Sequence, residues 1–319
     1  MLKTVLEEER LLTKVVRVNR SSKGGGESRI AEASRLLRMN LKNGHSSILF
    51  THLGPAKIQP LIPRESRSSY AIFLHGAEVW RRLSALERNA LGKATLLLSN
   101  SSFTAEKVER RNPWLRRPIK SIPLALPFDK IPAHTETSSE PVVLMVGTLS
   151  SSERYKGHDE MLNIWREVIR VVPEARLIIA GGGDDLSRLK AKARPHGSSV
   201  VFTGQIGDKQ LKDLYRMSRL FAMPSKGEGF GIAYLEAMAH GKPCIASVHD
   251  AGREVVEDGR TGLVVDQDDA VELRESLVRL LTDVSYGLAL GSKGRKRVLE
   301  YYNLDRFKSD LLRALRPLL

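Results

Sequence analysis

The sequence predicts an α/β protein whose strands form parallel sheets. Short apolar runs alternate along the chain with segments in which apolar residues recur at helical spacing. These runs are apolar on both faces, as expected for strands that are covered by helices on two sides. The 319 residues are sufficient for two such domains of about 150 residues each.

The first half of the chain alternates between strands and helices, although less completely than the second half. The predicted strands cover 47–52, 70–75, 94–99 and 120–124, and the predicted helices cover 28–41, 80–91 and 104–111. A segment rich in Pro, Ser and Thr follows and is typical of an interdomain linker. We therefore predict an N-terminal domain over 1–128 and a linker over 129–140.

The second half predicts a second, fuller α/β domain over 141–302. Its expected strands are 141–147, 176–183, 199–204, 220–224, 243–247 and 262–265. Its expected helices are 158–172, one through Leu186 and Leu189, 208–217, 231–240 and 253–257. The final segment, 303–319, reads as a basic amphipathic helix that packs back onto the N-terminal domain.

Composition excludes several classes of protein. Hydrophobic residues make up 41% and charged residues 28% of the chain, which is the balance of a globular protein. No run reaches the ~20 apolar residues of a membrane span, and the N-terminus lacks the apolar core of a signal peptide. The single cysteine, Cys244, excludes an internal disulfide and a multi-cysteine zinc site. We expect a cytoplasmic protein, with the inner face of a membrane as the alternative location.

The formal net charge of +14 suggests an anionic partner. The sequence has no zinc-finger spacing, no RNP-type aromatic run and no basic-region heptad, so nucleic acid is not expected. Basic residues cluster instead around tryptophans, at 80–82 and 110–117. Such clusters fit a surface that rests on anionic lipid headgroups, and they fit an ordinary solvated basic face equally well.

The segment 225–241 (SKGEGFGIAYLEAMAHG) carries the strongest chemical signal. Three glycines surround Glu228 between a predicted strand and a predicted helix, where they let the backbone approach a ligand closely. The helix that follows presents free N–H groups that can bind phosphate oxygens. Glu236 lies eight positions after Glu228, so the two carboxylates can accept hydrogen bonds from hydroxyls on different parts of an extended ligand.

This segment resembles the retaining glycosyltransferases of family 4 (glycosyl transferases group 1), which have the GT-B fold and are marked by Glu-x7-Glu. Glu228 and Glu236 match that motif. The resemblance implies two facing Rossmann-like domains with the sugar donor in the cleft, no metal at the active site, and no other cofactor. Family members open with further βα units, so the N-terminal domain here is expected to be shortened. It is then a compact variant, a truncated chain, or a domain completed by another subunit in a homo- or hetero-oligomer.

A second segment, 147–158, resembles the family segment that ends in Lys-Gly and neutralises the donor diphosphate. Lys156 matches the family lysine by position, and Arg154 is a plausible second cation. Thr148 stands where the family usually has arginine, so the diphosphate is held less tightly or Arg154 substitutes. Without the resemblance, both cations read as ordinary surface charges.

Other matches complete the expected site. Segment 201–206 resembles the part that cups the nucleotide base through backbone groups, and 73–80 resembles the His-Gly motif that places His75 near the transferred sugar. The expected catalytic residues are His75, Lys156 and Glu228. The expected donor-binding residues are Arg154, Lys156, Gly204, Gln205, Ile206, Glu228, Gly229, Phe230, Gly231, Ile232 and Glu236.

The resemblance implies a hexosyltransferase that moves a sugar, with retention, from a nucleotide-diphosphate sugar to a glycan or lipid-linked acceptor. UDP is the first expectation for the nucleotide and GDP the second. The leaving diphosphate would take the proton of the acceptor hydroxyl. The alternative is an inactive or partner-dependent homologue that only binds nucleotide sugar.

Three weaker signals point elsewhere. Gly24–Gly26 could form a dinucleotide loop, but no long apolar strand precedes them. Gly181–Asp184 could suggest a nicotinamide site, but they follow the second strand of their domain rather than the first. Asp266 and Asp268 resemble a metal-binding pair, although aspartate commonly caps helices in such positions. We expect no metal site.

Overall fold

The computed structural model describes residues 1–9, 47–135 and 140–318. The chain divides into two compact units: unit 1 is Met1–Pro123 with Asp305–Leu319, and unit 2 is Leu124–Leu304. The predicted helix at 28–41 and the glycines at 24–26 lie outside the described residues. Residues 129–135 of the predicted linker belong to unit 2.

Unit 1 contains a four-stranded parallel sheet in sequential order. Its strands are β1 (Ile48–Phe50), β2 (Tyr70–Leu74), β3 (Leu96–Ser99) and β4 (Ile119–Ser121). Every residue of β2 and β3 is buried, which explains why these strands read as continuous apolar runs. The four predicted strands of the first half are confirmed.

The helices of unit 1 agree only in part with the prediction, which did not include the first two of them. They are α1 (Leu2–Glu8), α2 (Leu53–Ala56), α3 (Ala77–Trp80), α4 (Ala85–Lys93) and α5 (Ser102–Arg111). The prediction of one helix over 80–91 is wrong, because Trp80 ends α3 and Ser84 caps a new helix that begins at Ala85. Ser84 and Glu87 form a capping box in which each side chain accepts from the other's backbone N–H.

Unit 2 contains a six-stranded parallel sheet in the order β10-β9-β8-β5-β6-β7. The strands are β5 (Val142–Val146), β6 (Arg176–Ala180), β7 (Val200–Gly204), β8 (Leu220–Ala222), β9 (Cys244–Ser247) and β10 (Gly262–Val265). From β5 the chain builds outward through β6 and β7, and then returns to add β8 on the other side of β5. Ligands of such sheets bind beyond the carboxyl ends of the strands at this switch point.

Helices cover both faces of the unit 2 sheet. They are α6 (His158–Val171), α7 (Leu186–Ala193), α8 (Asp208–Met217), α9 (Ile232–Ala239), α10 (Gly252–Val255), α11 (Ala270–Thr282) and α12 (Val284–Tyr301). Alternate residues of β5 enter different cores: Val143 and Met145 pack with Trp165, whereas Val142 and Leu144 pack with Tyr215. This division confirms the predicted two-sided coverage. The sequence analysis did not identify α11 and α12, which begin at the caps Asp269 and Asp283.

The chain ends in α13 (Leu304–Leu315). Phe307 and Leu311 are buried, and Lys308 pairs with Glu8 and Glu9 at 3.3 and 2.6 Å. From Asp305 onward this helix therefore belongs to unit 1. Among the helices of the described ranges, none combines the length and the apolar character needed to cross a bilayer.

Candidate functional site

The loops that follow β5, β6 and β7 touch one another through glycines. A Cβ on Gly181 would lie 1.8 Å from the carbonyl oxygen of Gly147, and Gly181 has a φ of +149° that other residues rarely adopt. The N–H of Gly181 donates to the carbonyl of Gly204 at 3.1 Å, and Gly182 lies against Gln205. The predicted base-binding residues Gly204 and Gln205 therefore lie beside the loop that follows β6.

The two predicted site segments meet directly. A 3-10 helix, Ser151–Lys156, precedes α6, and the ring of Tyr155 occupies the space beside Gly227, where a Cβ would come within 2.6 Å. The N–H of Lys226 donates to the carbonyl of Tyr155 at 2.9 Å. A Cβ on Gly157 would lie 2.3 Å from the carbonyl oxygen of Pro224. The Lys-Gly segment and the Glu-x7-Glu segment thus form one surface at the carboxyl edge of the sheet.

Lys156 lies within this surface. Its side chain is 14% exposed, and its Nζ is 2.8 Å from Oε2 of Glu153. A Cβ placed on Gly147 would lie 3.5 Å from the same Nζ. Burial raises the pKa of Glu228, and the charge of Lys156 is the largest opposing influence. The structure therefore brings Lys156, Gly147 and Glu228 together.

Arg154 is held by an ion network. Its Nε and Nη2 contact the two carboxylate oxygens of Asp185 at 3.2 and 2.9 Å. Arg188 joins Asp185 to Asp159 with contacts of 2.6 and 2.7 Å. The hydrogen bond from Arg188 and then that from Arg154 hold the pKa of Asp185 at about 2, against its burial. Both predicted cations are thus paired with a carboxylate, Arg154 through two contacts with Asp185 and Lys156 through one contact with Glu153.

Glu228 is fixed through its backbone by Asp250. The N–H of Glu228 donates to Oδ2 of Asp250 at 2.9 Å, and the N–H of Ala251 donates to the carbonyl of Glu228 at 3.1 Å. The other oxygen of Asp250 accepts from the N–H of Gly252 at 2.8 Å. Asp250 is fully buried, and burial raises its pKa to about 7. Sequence reasoning missed this residue, because it follows β9 and lies 22 positions from Glu228.

The residues after Glu228 lead into α9. Gly231, with a φ of +95°, precedes the helix, and a Cβ there would collide with the ring of Tyr234 at 2.4 Å. The side chain of Phe230 is buried and packs on Tyr302, with ring centroids 5.9 Å apart. Ile232, by contrast, is exposed at the start of α9. The ring of Phe230 therefore belongs to the core, and its N–H donates to Oε1 of Glu228 at 3.5 Å.

Glu236 projects from α9 and is held by Tyr215. The hydroxyl of Tyr215 donates to Oε2 of Glu236 at 3.0 Å, and the buried Tyr215 ring stacks on His240. Burial raises the pKa of Glu236, and the bond from Tyr215 opposes that shift. Tyr215 was not predicted as a site residue, since its position in α8 looks like that of any apolar core residue.

His75 lies in unit 1, directly after β2. Its Nε2 is 2.9 Å from the carbonyl oxygen of Thr51, and its ring stacks on Phe73. The N–H of His75 donates to Glu78 at 2.6 Å, and the side-chain amide of Asn100 donates to the carbonyl of His75 at 3.0 Å. The predicted His-Gly motif is therefore an ordered turn at the carboxyl edge of the unit 1 sheet.

One acidic group near the unit 2 site has the geometry of a weak cation site. His249, Asp266 and Asp268 place ligand atoms within 4.8 Å of one another. Nε2 of His249 is 2.8 Å from Asp266, and the ammonium of Lys226 contacts Asp268. The lysine thus already supplies positive charge to the carboxylates that a cation would need.

Comparison with known proteins identifies the unit that carries this site. Residues 140–283 match the family described as glycosyl transferases group 1. This part of the chain is therefore similar to glycosyl transferases group 1. The match spans β5 to the end of α11, so every unit 2 site residue described above lies within it.

Curated proteins that are similar to the chain include mannosyltransferases. The chain is 28% identical over 291 residues to the GDP-mannose-dependent alpha-(1-6)-phosphatidylinositol monomannoside mannosyltransferase of Mycolicibacterium smegmatis, covering 84% of this chain and 75% of the relative. The protein of that name from Mycobacterium tuberculosis H37Rv is 33% identical over 170 residues, which are 50% of this chain and 44% of the relative. The chain thus aligns with less than half of this second relative.

Solved structures establish the fold as the GT-B type of α/β architecture. Sucrose-phosphate synthase from Thermosynechococcus elongatus matches with a TM-score of 0.76 at 21% identity, over 95% of this chain and 82% of that chain. Anabaena HepE in complex with UDP and glucose matches with a TM-score of 0.75 at 17% identity, over 99% and 89%. The predicted α/β architecture of the GT-B type is therefore confirmed.

Proposed function

We propose that this glycosyltransferase moves a hexose from a nucleotide-diphosphate sugar to a hydroxyl of a glycan or lipid-linked acceptor. One observation carries the proposal: the Lys-Gly segment and the Glu-x7-Glu segment pack together through Tyr155 and Gly227, so that the charge of Lys156 acts on Glu228. A partly buried cation next to partly buried carboxylates suits a ligand that has both a diphosphate and hydroxyls. The family match over residues 140–283 supports the same reaction.

Each residue then has a role that its surroundings favour. Lys156 and the free N–H groups at the start of α9 neutralise the diphosphate, because cations and helix N-termini both attract phosphate oxygens. Glu236 accepts hydrogen bonds from the ribose and Glu228 from the sugar. The backbone groups of Gly204, Gln205 and Ile206 receive the base.

The proposed mechanism retains the configuration of the sugar and uses no metal. As the bond to the leaving group breaks, negative charge builds on the diphosphate, and Lys156 stabilises it where water is partly excluded. The leaving oxygen takes the proton of the acceptor hydroxyl while that hydroxyl attacks the same face of the sugar. His75 is assigned to the sugar side of the reaction.

The choice of nucleotide lies between UDP and GDP. The family resemblance favours UDP, whereas the mycobacterial relatives are named as GDP-mannose-dependent. The HepE complexes contain UDP, but at 17% identity they support the fold alone. Both nucleotides therefore enter the first experiment.

Nucleotide binding can be tested by a thermal-shift screen of UDP, GDP, ADP and their sugar conjugates, with and without Mg²⁺. A ligand that binds the native state raises the melting temperature by mass action. We expect one nucleotide to raise it without metal. Glu236→Gln should weaken that nucleotide about tenfold, and Tyr215→Phe about threefold, because each loses a hydrogen bond of the magnitude typical in proteins.

Glu174→Gln is the matched control, because Glu174 is an exposed unit 2 glutamate and has no place in the proposed site. It should keep the full shift. A screen in which no nucleotide stabilises the wild type, or in which Glu174→Gln and Glu236→Gln lose equal affinity, would contradict the proposed donor site.

A second candidate is a homologue that binds nucleotide sugar but turns it over poorly or only with a partner. Two observations favour it: Thr148 stands where the family usually has arginine, and Arg154 is already paired with Asp185. Both leave the diphosphate with fewer free cations. Nucleotide binding without release of free nucleotide from any donor would support this candidate over the active enzyme.

A further inference from the structure

Unit 1 contains a basic cavity that the proposed transfer reaction does not use. The cavity has a volume of about 360 Å³, and its lining includes Arg81, Arg82, Arg88, Arg111 and Trp114. The two basic clusters of the sequence, at 80–82 and 110–117, are separated along the chain, yet the fold brings members of both to this one place. We call it the arginine cavity.

The walls of the arginine cavity are ordered. Arg81 is fixed to the buried carboxylate of Glu87 by contacts of 2.6 and 3.1 Å. Asn112 also lines the cavity; it follows the last residue of α5, and its side-chain amide donates to the carbonyl of Val108 at 2.8 Å. The ring of Trp114 lies against Gly92 of α4, where a Cβ would meet it at 3.6 Å. Contacts with α4 and α5 therefore fix Arg81, Asn112 and Trp114, and the exposed Arg82, Arg88 and Arg111 complete the lining.

The charges around the arginine cavity are not balanced. Glu87 is shared by Arg81 and Lys57. Within residues 1–9, 47–135 and 140–318, no carboxylate pairs with Arg82, Arg88 or Arg111. Guanidinium groups gathered around one cavity repel one another, and an anion placed between them relieves that repulsion. The arginine cavity thus has an excess of positive charge, which a bound anion would reduce.

The residue types indicate which anion fits. Guanidinium groups bind phosphate oxygens through paired, charge-assisted hydrogen bonds. Trp114 is 39% exposed and offers an apolar face to the organic part of a phosphate ester, as tryptophan does where one side of a ligand is apolar and the other is wet. A simple solvated basic face would spread its charges and would not need a cavity.

We propose that the arginine cavity is a binding site for a phosphate ester, held by Arg82, Arg88 and Arg111 and packed against Trp114. The phosphate belongs either to the headgroup of an anionic lipid or to a soluble sugar or polyol phosphate. Both sources share the chemistry that the cavity recognises. The proposal does not depend on the donor site of unit 2 or on glycosyl transfer.

The test uses the full chain and two binding assays. One assay measures sedimentation with vesicles of phosphatidylcholine containing 30% phosphatidylglycerol, against vesicles of phosphatidylcholine alone. The other measures glycerol 1-phosphate binding by calorimetry. The cavity variant is Arg82→Gln with Arg88→Gln and Arg111→Gln. The matched control, Arg166→Gln with Arg176→Gln and Lys190→Gln, removes the same charge from exposed positions of unit 2.

We expect the cavity variant to lose at least tenfold in affinity in one assay while the control loses less than threefold. Loss in the vesicle assay alone identifies a lipid headgroup, and loss in the calorimetric assay identifies a soluble ester. Equal weakening of both triple variants would show that only the net charge matters and would overturn the proposal. Absence of wild-type binding in both assays would overturn it as well. Circular dichroism and melting temperature confirm that each variant is folded.

Discussion

Units 1 and 2 are both parallel sheets covered by helices, but they place their charged groups differently. Unit 2 buries carboxylates at the carboxyl edge of its sheet, and burial raises the pKa of Glu228, Glu236 and Asp250. Unit 1 buries the carboxylate of Glu87, but the hydrogen bond from Arg81 holds the pKa of that group at about 2. The buried carboxylate of unit 1 is therefore compensated by a cation, whereas these carboxylates of unit 2 are not fully compensated.

This difference indicates what each unit is adapted to do. Uncompensated carboxylates lower the stability of a folded protein and are concentrated at functional sites. The glycine contacts of unit 2 hold those groups in place before any ligand arrives. In unit 1 the excess charge is carried by exposed arginines, several of which line the arginine cavity. The three predictions below test this contrast, from the largest expected effect to the smallest.

Replacing a glycine by alanine should lower stability strongly at a close contact of unit 2 and only slightly at an ordinary contact of unit 1. Gly181→Ala places a Cβ 1.8 Å from the carbonyl oxygen of Gly147 at a φ of +149°, so we expect a loss of about 4 kcal/mol or more in the free energy of unfolding. Gly92→Ala in α4 meets only an ordinary contact at 3.6 Å and should change it by less than about 1 kcal/mol. Urea unfolding followed by circular dichroism measures both.

Gly197→Ala separates the two causes of the Gly181 effect, because Gly197 has a φ of +57° and a Cβ added there would meet no atom within 4 Å. It should cost on the order of 1 kcal/mol. If Gly181→Ala cost no more than Gly197→Ala, the loops after β5 and β6 would not be rigidly packed, and the contrast between the units would fail.

The two predicted cations of the Lys-Gly segment should differ in their effect on turnover. Lys156→Gln removes the charge beside Glu228 and should lower kcat by about 10²- to 10³-fold, as for loss of a group that stabilises charge in a transition state. Arg154→Gln should lower kcat less than tenfold, since its guanidinium is held by Asp185. The measurement is the rate at which free nucleotide is released as the donor is hydrolysed or its sugar is transferred.

Arg154→Gln leaves Asp185 paired with Arg188, so the variant should stay folded and serves as the internal control for Lys156→Gln. Equal losses of kcat in the two variants would show that Arg154 leaves Asp185 during the reaction. The roles proposed for these two residues would then have to be exchanged or shared.

The buried carboxyl of Asp250 should make stability depend on pH. Its pKa is about 7 in the folded protein, above the ordinary value of 3.8, so the folded state binds more protons than the unfolded state between these values. Its contribution to stability is therefore present below pH 4 and is lost as the pH rises through 7. The free-energy difference between wild type and Asp250→Asn should fall by roughly 4 kcal/mol from pH 4 to pH 8.

The contribution of Glu87 in unit 1 to stability should depend on pH in the opposite direction. Its pKa is lowered to about 2, so its contribution is present above its ordinary pKa and is lost as the pH falls toward 2. The difference between wild type and Glu87→Gln should therefore be constant from pH 6 to pH 8 and should decrease in acid. A wild-type-minus-Asp250→Asn difference that is also constant from pH 4 to pH 8 would show that Asp250 is ionised in the folded protein throughout.

Much of the fold could be predicted because its signals are local. The bounds 208–217 and 262–265 agree with α8 and β10, since apolar spacing and flanking turn residues mark both. The helix over 80–91 was wrong because the sequence pattern continues through Ser84, and only the capping box with Glu87 shows where the chain breaks. The helices α11 and α12 were missed although Asp269 and Asp283 are good caps.

In the candidate site, too, some residues could be predicted from the sequence and others could not. The Glu-x7-Glu spacing and its glycines are a continuous string, so Glu228, Gly231 and Glu236 could be named without a structure, and the same string indicated the glycosyltransferase family. Asp250 and Tyr215 could not be named, because each acts on a residue about 20 positions away through the order of the strands. Arg154 could be identified as a cation but not as the partner of Asp185.

The sequence by itself determined the alternation of strands and helices and the resemblance that names the candidate site residues, because these depend on patterns within single segments. The tertiary structure decided which charges are compensated. It paired Arg154 with Asp185, placed the carboxylate of Asp250 against the backbone N–H of Glu228, and brought arginines from two segments to one cavity. Those outcomes depend on which strand ends become neighbours in the sheet and on how much water remains around each charge, and neither is encoded in the spacing of a motif.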